Sequence, residues 1–312
     1  MKAFIFNAFF LILAVGMVCA QVEPSPATGT DRIELSGGDC DRQLNILSWN
    51  IYMLPKFVPL RGRISRAHAI VDTLLHTDYD IIVFQEAFLE KARRIISEGL
   101  RAKFPYQYGP ANPAQNKIRT NSGVYVISSI PLKVLGTIEF RDKAGPDAFA
   151  RKGAIMLEGE WNCRPFQILG THLQADAQPR IRKKQFEQLF TELILPHRRD
   201  SVVQIICGDM NTEREFEEAY CDMLHCLDAE DGELSGIHKY THDSERNEIA
   251  RAMAGKKKYR HQLDYVLVRT NGAKIKSSKR VVTIFTRLWK AGPRKKGKDL
   301  SDHYGVAYQV KF

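Results

Sequence analysis

Apolar residues along this chain gather in short runs at wide intervals: Leu44 to Trp49, Ile81 to Phe84, Gly123 to Ile127, Ala154 to Leu157, Phe166 to Gly170, Val202 to Cys207 and Leu263 to Val268. Each is too short for a core helix and reads as a strand, many of them buried on both faces. Between them lie amphipathic stretches. Ile64 to Leu75 carries Ile64, Ala67, Ile70, Val71, Leu74 and Leu75 at helical spacing, and Leu89 to Leu100 and Arg180 to Leu195 behave similarly. Strands and helices in alternation, with a hairpin over Gly153 to Gly170, predict an α/β (α+β) fold of stacked mixed sheets flanked by helices. No internal repeat is visible.

The first twenty residues break this pattern. Lys2 precedes an apolar run from Ala3 to Val18, and Val18-Cys19-Ala20 suits signal peptidase cleavage after Ala20. Residues 1–20 are therefore read as an export signal and the protein as secreted, to a periplasm or to the medium. The alternative, a retained anchor, needs a longer span and a charged stop. Residues 21–42, rich in Pro, Ser, Thr and Gly as far as Gly38, read as a flexible lead-in.

Composition is that of a globular chain, with 44% apolar and 26% charged residues, which excludes wholesale disorder. Removing residues 1–20 takes away Lys2 and no acid, so the net charge of +10 becomes +9. That surplus favours anionic partners without naming a reaction. Five cysteines then remain. Cys207 sits in an apolar run as a buried thiol, and Cys40, Cys163, Cys221 and Cys226 are available for bridges in an oxidising compartment, with no pairing readable.

Polar residues cluster where the apolar runs end: Ser48-Trp49-Asn50, Phe84-Gln85-Glu86, Gly170-Thr171-His172-Leu173-Gln174, Gly208-Asp209-Met210-Asn211 and Leu300-Ser301-Asp302-His303-Tyr304. Singly, each is an ordinary cap or turn. Together and in this order, with Leu263-Asp264-Tyr265, they resemble the superfamily of exonuclease III, deoxyribonuclease I and the sphingomyelinases, over residues 43 to 312. That resemblance implies one catalytic domain over 43–312, built as a four-layer α/β/β/α sandwich.

It also implies roles. Glu86 supplies a hard oxygen ligand suited to magnesium, with manganese or cobalt as substitutes, and Asn50 assists the metal or holds the phosphate. His303 is the base, oriented by Asp264, with Asp302 orienting it or adding to the metal's field. Asp209 aligns the water, Asn211 holds the phosphate, and His172 stabilises the phosphorane.

Thr171-His172-Leu173-Gln174-Ala175 and Leu300-Ser301-Asp302-His303-Tyr304 look like neutral-sphingomyelinase wording, and Asp147 followed by Lys152-Gly153 is similar to that group's phosphate-binding lysine. The expected reaction is hydrolysis of sphingomyelin to ceramide and phosphocholine by metal-assisted water. A sphingomyelin-containing membrane surface is the expected partner, with no stable nucleic-acid partner and a monomeric chain. Docking falls to Thr283 to Lys290, with Trp289 as the inserting side chain, beside Arg294, Lys295, Lys296 and Lys298; the alternative is a strand whose apolar face is core. Lys256 to His261 reads as a solvated loop. The competing functions are a secreted magnesium-dependent nuclease, a phosphoinositide phosphatase and, outside the enzymes, a surface-binding protein that keeps only the fold.

Overall fold

A computed structural model describes residues 42–58, 60–116, 119–175 and 178–312. The export signal, the lead-in and Cys40 lie outside the described residues. In chain order the strands are β1 (Leu44–Asn50), β2 (Ile81–Gln85), β3 (Tyr106–Tyr108), β4 (Tyr125–Ser128), β5 (Lys133–Glu139), β6 (Gly153–Trp161), β7 (Arg164–His172) and β8 (Val203–Asp209). They continue as β9 (Leu234–Ser235), β10 (His242–Asp243), β11 (Arg260–His261), β12 (Asp264–Arg269), β13 (Ser277–Thr283), β14 (Thr286–Lys290), β15 (Lys296–Asp299) and β16 (Gly305–Lys311). The α-helices are α1 (Arg63–Leu74), α2 (Glu90–Leu100), α3 (Pro179–Leu189), α4 (Glu217–Leu227) and α5 (Glu248–Ala254). All seven apolar runs became strands and all three amphipathic stretches became helices, the last continuing into a π-turn over Phe190–Ile194.

Two large mixed sheets result, of order β3-β4-β2-β1-β16-β13-β9 and β12-β8-β7-β6-β5. The period of two along a strand assigns the layers. Ile46, Ile81 and Val83 of the first sheet and Ile168, Ile205, Cys207 and Val266 of the second share one core between the sheets. The alternate residues Leu47, Trp49, Ile82 and Phe84 pack outward on Ala67, Ile70 and Leu74 of α1 and Ile96 of α2. Leu169, Ile206 and Leu267 pack outward on Phe186 and Leu189 of α3 and Met223 of α4. The four-layer α/β/β/α sandwich follows. Each fully buried Leu, Ile or Phe contributes about 1.5–3 kcal/mol, so the three cores together set the stability of both sheets. None of the described helices is long and apolar enough to cross a membrane.

Two cysteine expectations meet the structure differently. Cys207 is a buried free thiol of the inter-sheet core. Cys163, Cys221 and Cys226 are also free, so the bridges anticipated among them are absent.

The strands beside the site approach closely. A Cβ on Gly208 would lie 2.4 Å from the Thr171 carbonyl oxygen, on the strand it pairs with. Gly208→Ala is therefore expected to cost about 1–3 kcal/mol through overpacking, read as a lower urea midpoint. A wild-type midpoint would contradict this packing.

Candidate active site

The inward-facing rows that are apolar through the middle of each strand turn polar at one end. On β1 the row Leu44 and Ile46 continues into Ser48 and Asn50, and on β2 Ile81 and Val83 lead to Gln85. On the second sheet, Cys207 leads to Asp209 and Val266 leads back to Asp264. Registry does the rest. His172 pairs with Asp209 on parallel β7–β8, and Asp209 pairs with Asp264 on antiparallel β8–β12, so the three stand in one row. Asn50 pairs with Gln85 on β1–β2, which brings Glu86 just beyond. His303 arrives on the loop before β16, where Trp49 Nε1 donates to its carbonyl at 3.1 Å.

Asn50 joins the two halves, its Nδ2 donating to Asp209 Oδ2 at 2.9 Å and to Glu86 Oε1 at 3.2 Å. Its Oδ1 accepts from Tyr52 N at 3.1 Å. Glu86 holds a left-handed backbone (φ 53°), an uncommon conformation for a non-glycine residue that tertiary structure must enforce. Here Glu86 O accepts from Met53 N and Ala87 N donates to Gly123 O. Burial, then the charge of Asp302, pushes the Glu86 carboxyl up to about 7.

On the opposite side, Asp264 Oδ2 lies 2.8 Å from His303 Nδ1, and His303 Nε2 lies 3.9 Å from Asp209 Oδ2. Burial pulls the His303 pKa down, but Asp264, Asp209 and Asp302 outweigh it and hold the imidazole well above its usual value. Burial raises Asp264 to about 6 against the pull of His303. The pair is a carboxylate and an imidazolium, with Nδ1 donating.

Whether these residues suit a divalent cation is answered by charge and by orphaned atoms. Five carboxyl groups (Glu86, Asp147, Asp209, Asp264 and Asp302) outnumber the three cations (Lys152, Arg66 and His303) around the site. Glu86 Oε2 and Asp264 Oδ1 are buried without a hydrogen-bond partner. Uncompensated carboxylate oxygens in such a place are costly. Hard oxygen donors in excess of the cations around them fit magnesium or manganese, and Glu86, held by Asn50, is the residue that would carry the ion.

Lys152 is 2% exposed, and its ammonium reaches Asp147 Oδ2 (2.8 Å), the Leu173 carbonyl (2.9 Å) and His172 Nε2 (3.1 Å). All three of its hydrogens are engaged. In these contacts it stands behind His172. Because a lysine only donates, His172 accepts on Nε2 and carries its proton on Nδ1, an atom buried without a partner. Burial and then Lys152 lower His172 to about 3, so it is neutral. Asn211, with φ 49°, donates its backbone N–H to Asp209 Oδ1 (3.0 Å) and Nδ2 to the Leu173 carbonyl (3.2 Å).

Trp289 is not brought to this group. Its Nε1 donates to Asp299 O at 3.0 Å and its ring fills the space over Gly62 and Gly297. The β14–β15 hairpin exposes Leu288 instead, at 70%. Trp289 is thus a packing residue, because the twisted hairpin turns its ring towards α1, where Arg66 lies 5.9 Å from it.

Sequence reasoning missed two supports. Arg66 is 3% exposed and donates Nη1 to the carbonyls of Ile51 and Leu300, both at 2.8 Å, and Nη2 to that of Tyr52. It pins the loop after Asn50 to the one before Asp302; a charge four residues before Ile70 on an apolar stripe was the available signal. The second is Thr241 to Asn247. Thr241 Oγ1 accepts from Leu263 N and Asp264 N, and Asn247 Nδ2 donates to Ser301 O at 2.8 Å. Its strand β10 is two residues long and leaves no periodic trace.

The chain belongs to the Endonuclease/Exonuclease/phosphatase family, whose model matches residues 47–303. Among its relatives, Sphingomyelinase C of Leptospira interrogans is 30% identical over 246 residues, 72% of this chain and 44% of that protein. The chain thus spans less than half of that relative's length. Phospholipase C of Staphylococcus aureus is 26% identical over 245 residues, 72% of this chain and 73% of that one. In structure the chain is similar to beta toxin of Staphylococcus aureus, with TM-score 0.77 and 24% identity, covering 85% of this chain and 99% of that one. Sphingomyelinase C from Streptomyces griseocarneus gives TM-score 0.76 at 24% identity, covering 86% and 99%.

The strand that delivers Lys152 is braced from outside. Glu139, opposite Gly153 on β5–β6, binds Lys143 and Arg151, each at 2.7 Å, and also Arg119. Partial burial pushes its carboxyl up, but these cations outweigh that and bring it from 4.5 down to about 2. A depressed carboxyl adds stability that is present above the unfolded value and is lost as pH falls from there through about 2. Glu139→Gln should therefore be less stable than wild type near neutral pH, with the gap in urea midpoint closing on acidification below about 4.5. A gap independent of pH would contradict the ion-pair account.

Proposed function

We propose that the chain is a secreted, divalent-metal-dependent phosphodiesterase that hydrolyses sphingomyelin to ceramide and phosphocholine. The observation that carries this reading is the Asp264–His303 pair set beside Asp209 and across from the Glu86 carboxylate, whose Oε2 has no partner. The names of the relatives support the substrate, and one beta-toxin structure at TM-score 0.77 was solved with bound magnesium ions. A divalent ion at Glu86 and Asn50 would screen charge on the phosphoryl oxygens and leaving group and weaken the hold of His303 on its proton.

The protein's own groups account for the remaining chemistry. Asp209 would orient a water beside His303 Nε2; His303, held through Nδ1 by Asp264 and neutral once a bound ion has weakened its hold on the Nε2 proton, takes the water's proton as the oxygen attacks phosphorus, while the bond from phosphorus to the ceramide oxygen breaks and that oxygen takes a proton from solvent. His172 offers its unpartnered Nδ1–H to the charge that develops on the phosphoryl group, and Asn211 offers its remaining amide hydrogen. Lys152 supplies positive potential from behind and holds the His172 tautomer. Leu288, flanked by Arg287 and Lys290 on an exposed hairpin, suits the interfacial region of a bilayer.

The test is phosphocholine release from sphingomyelin vesicles, with magnesium and with chelator, beside a plasmid-cleavage control. Magnesium-dependent release is expected, reduced about 10²–10⁴-fold in His303→Ala, with the plasmid intact. Plasmid cleavage without phosphocholine release would make the chain a nuclease and overturn the lipid reading.

A further inference from the structure

The Nδ1 bond to Asp264 fixes one corner of the His303 ring but does not cover its face. What closes its face is another imidazole. The rings of His242 and His303 stack with centroids 4.5 Å apart and planes within 16°. His242 is itself held on several sides. Its backbone pairs with His261 and bridges to His303, and its ring lies 4.9 Å from that of Tyr259. Its Nε2 is 3.4 Å from the Tyr259 hydroxyl and 4.0 Å from Asp302 Oδ2. Burial, then the charge on His303, lowers His242 to about 3, so a neutral ring faces the imidazolium.

We propose that His242 is a positioning residue for the base: its ring stacks on His303 and holds that imidazole in the orientation where Nδ1 meets Asp264 and Nε2 meets the water beside Asp209. The inference rests on His303 being the base. The same residues raise the thought of a second metal site, since ligand atoms of His242, Asp302 and His303 lie within 4.8 Å of one another. Stacking argues against it. Imidazole lone pairs lie in the ring plane, and two nearly parallel rings aim them side by side rather than at one ion, while His303 Nδ1 is already committed. The stack also gives the Thr241 to Asn247 segment a purpose beyond packing, because one short stretch sets Asp264 through Thr241, His303 through His242 and Ser301 through Asn247.

The experiment compares wild type, His242→Ala and His242→Phe by ¹⁵N-histidine NMR of the metal-free protein and by kcat and KM on sphingomyelin vesicles. Wild type and His242→Phe, which keeps the stack without ring nitrogens, are expected to show one sharp His303 ring pattern. His242→Ala should show a broadened or split pattern, with kcat lower by about ten- to hundredfold and KM little changed, as for a catalytic group misplaced by about an ångström. The Phe variant should recover most of the lost kcat. A wild-type His303 pattern in His242→Ala, or a folded His242→Phe as broadened as Ala, would overturn the proposal. If Ala does not fold, the Phe spectrum decides. If wild type turns over no phosphodiester, the functional reading fails, while the spectra still decide whether His242 orients His303.

Discussion

One amide, that of Asn50, ties together a site that would otherwise push itself apart. It donates to Glu86 from one sheet and to Asp209 from the other, at the point where two inward-facing rows change from apolar to acidic. Carboxylates buried between sheets repel one another and miss their water. The fold tolerates them only because donors and cations are placed with equal care: Lys152 behind His172, Arg66 behind the Asp302 loop, His303 against Asp264. The carboxylate oxygens still without partners, Glu86 Oε2 and Asp264 Oδ1, are what suits the site to the doubly charged cation proposed for it.

That balance explains why so much of the supporting structure is rigid and internal. Arg66 collects carbonyls from two loops, Trp49 holds the His303 carbonyl, and Thr241 holds the main chain at Asp264. None of these touches a reacting atom in the reading given above. Each removes freedom from a group that does, as preorganised catalysis requires. The β14–β15 hairpin, by contrast, is anchored inward by Trp289 and presents Leu288 outward.

Much of this was legible before any coordinates. The seven central strands announced themselves because they are buried on both faces or alternate cleanly, and the residues that close them, Asn50, Glu86, His172, Asp209 and Asp264, fell at their ends. Edge and surface strands such as β5 and β14 are half exposed and carry no such pattern. The part of the site built from Thr241 to Asn247 leaves no trace in the sequence because its strand is two residues long and its part lies in capping and stacking contacts with Ser301 and His303, far along the chain. Lys152 and Trp289 stand out in the sequence, but their partners do not: spacing says which side chains lie near a turn, not which hydrogen bonds burial will consume.

The unpartnered Oε2 of Glu86, on a carboxylate tethered by Asn50, is where the proposed divalent ion would bind. The most direct measurement is a crystal soaked in manganese and examined for anomalous scattering. A peak is expected within bonding distance of Glu86 Oε2, abolished in Glu86→Gln. A peak lying instead among His242, Asp302 and His303, or one that persists in Glu86→Gln, would contradict it.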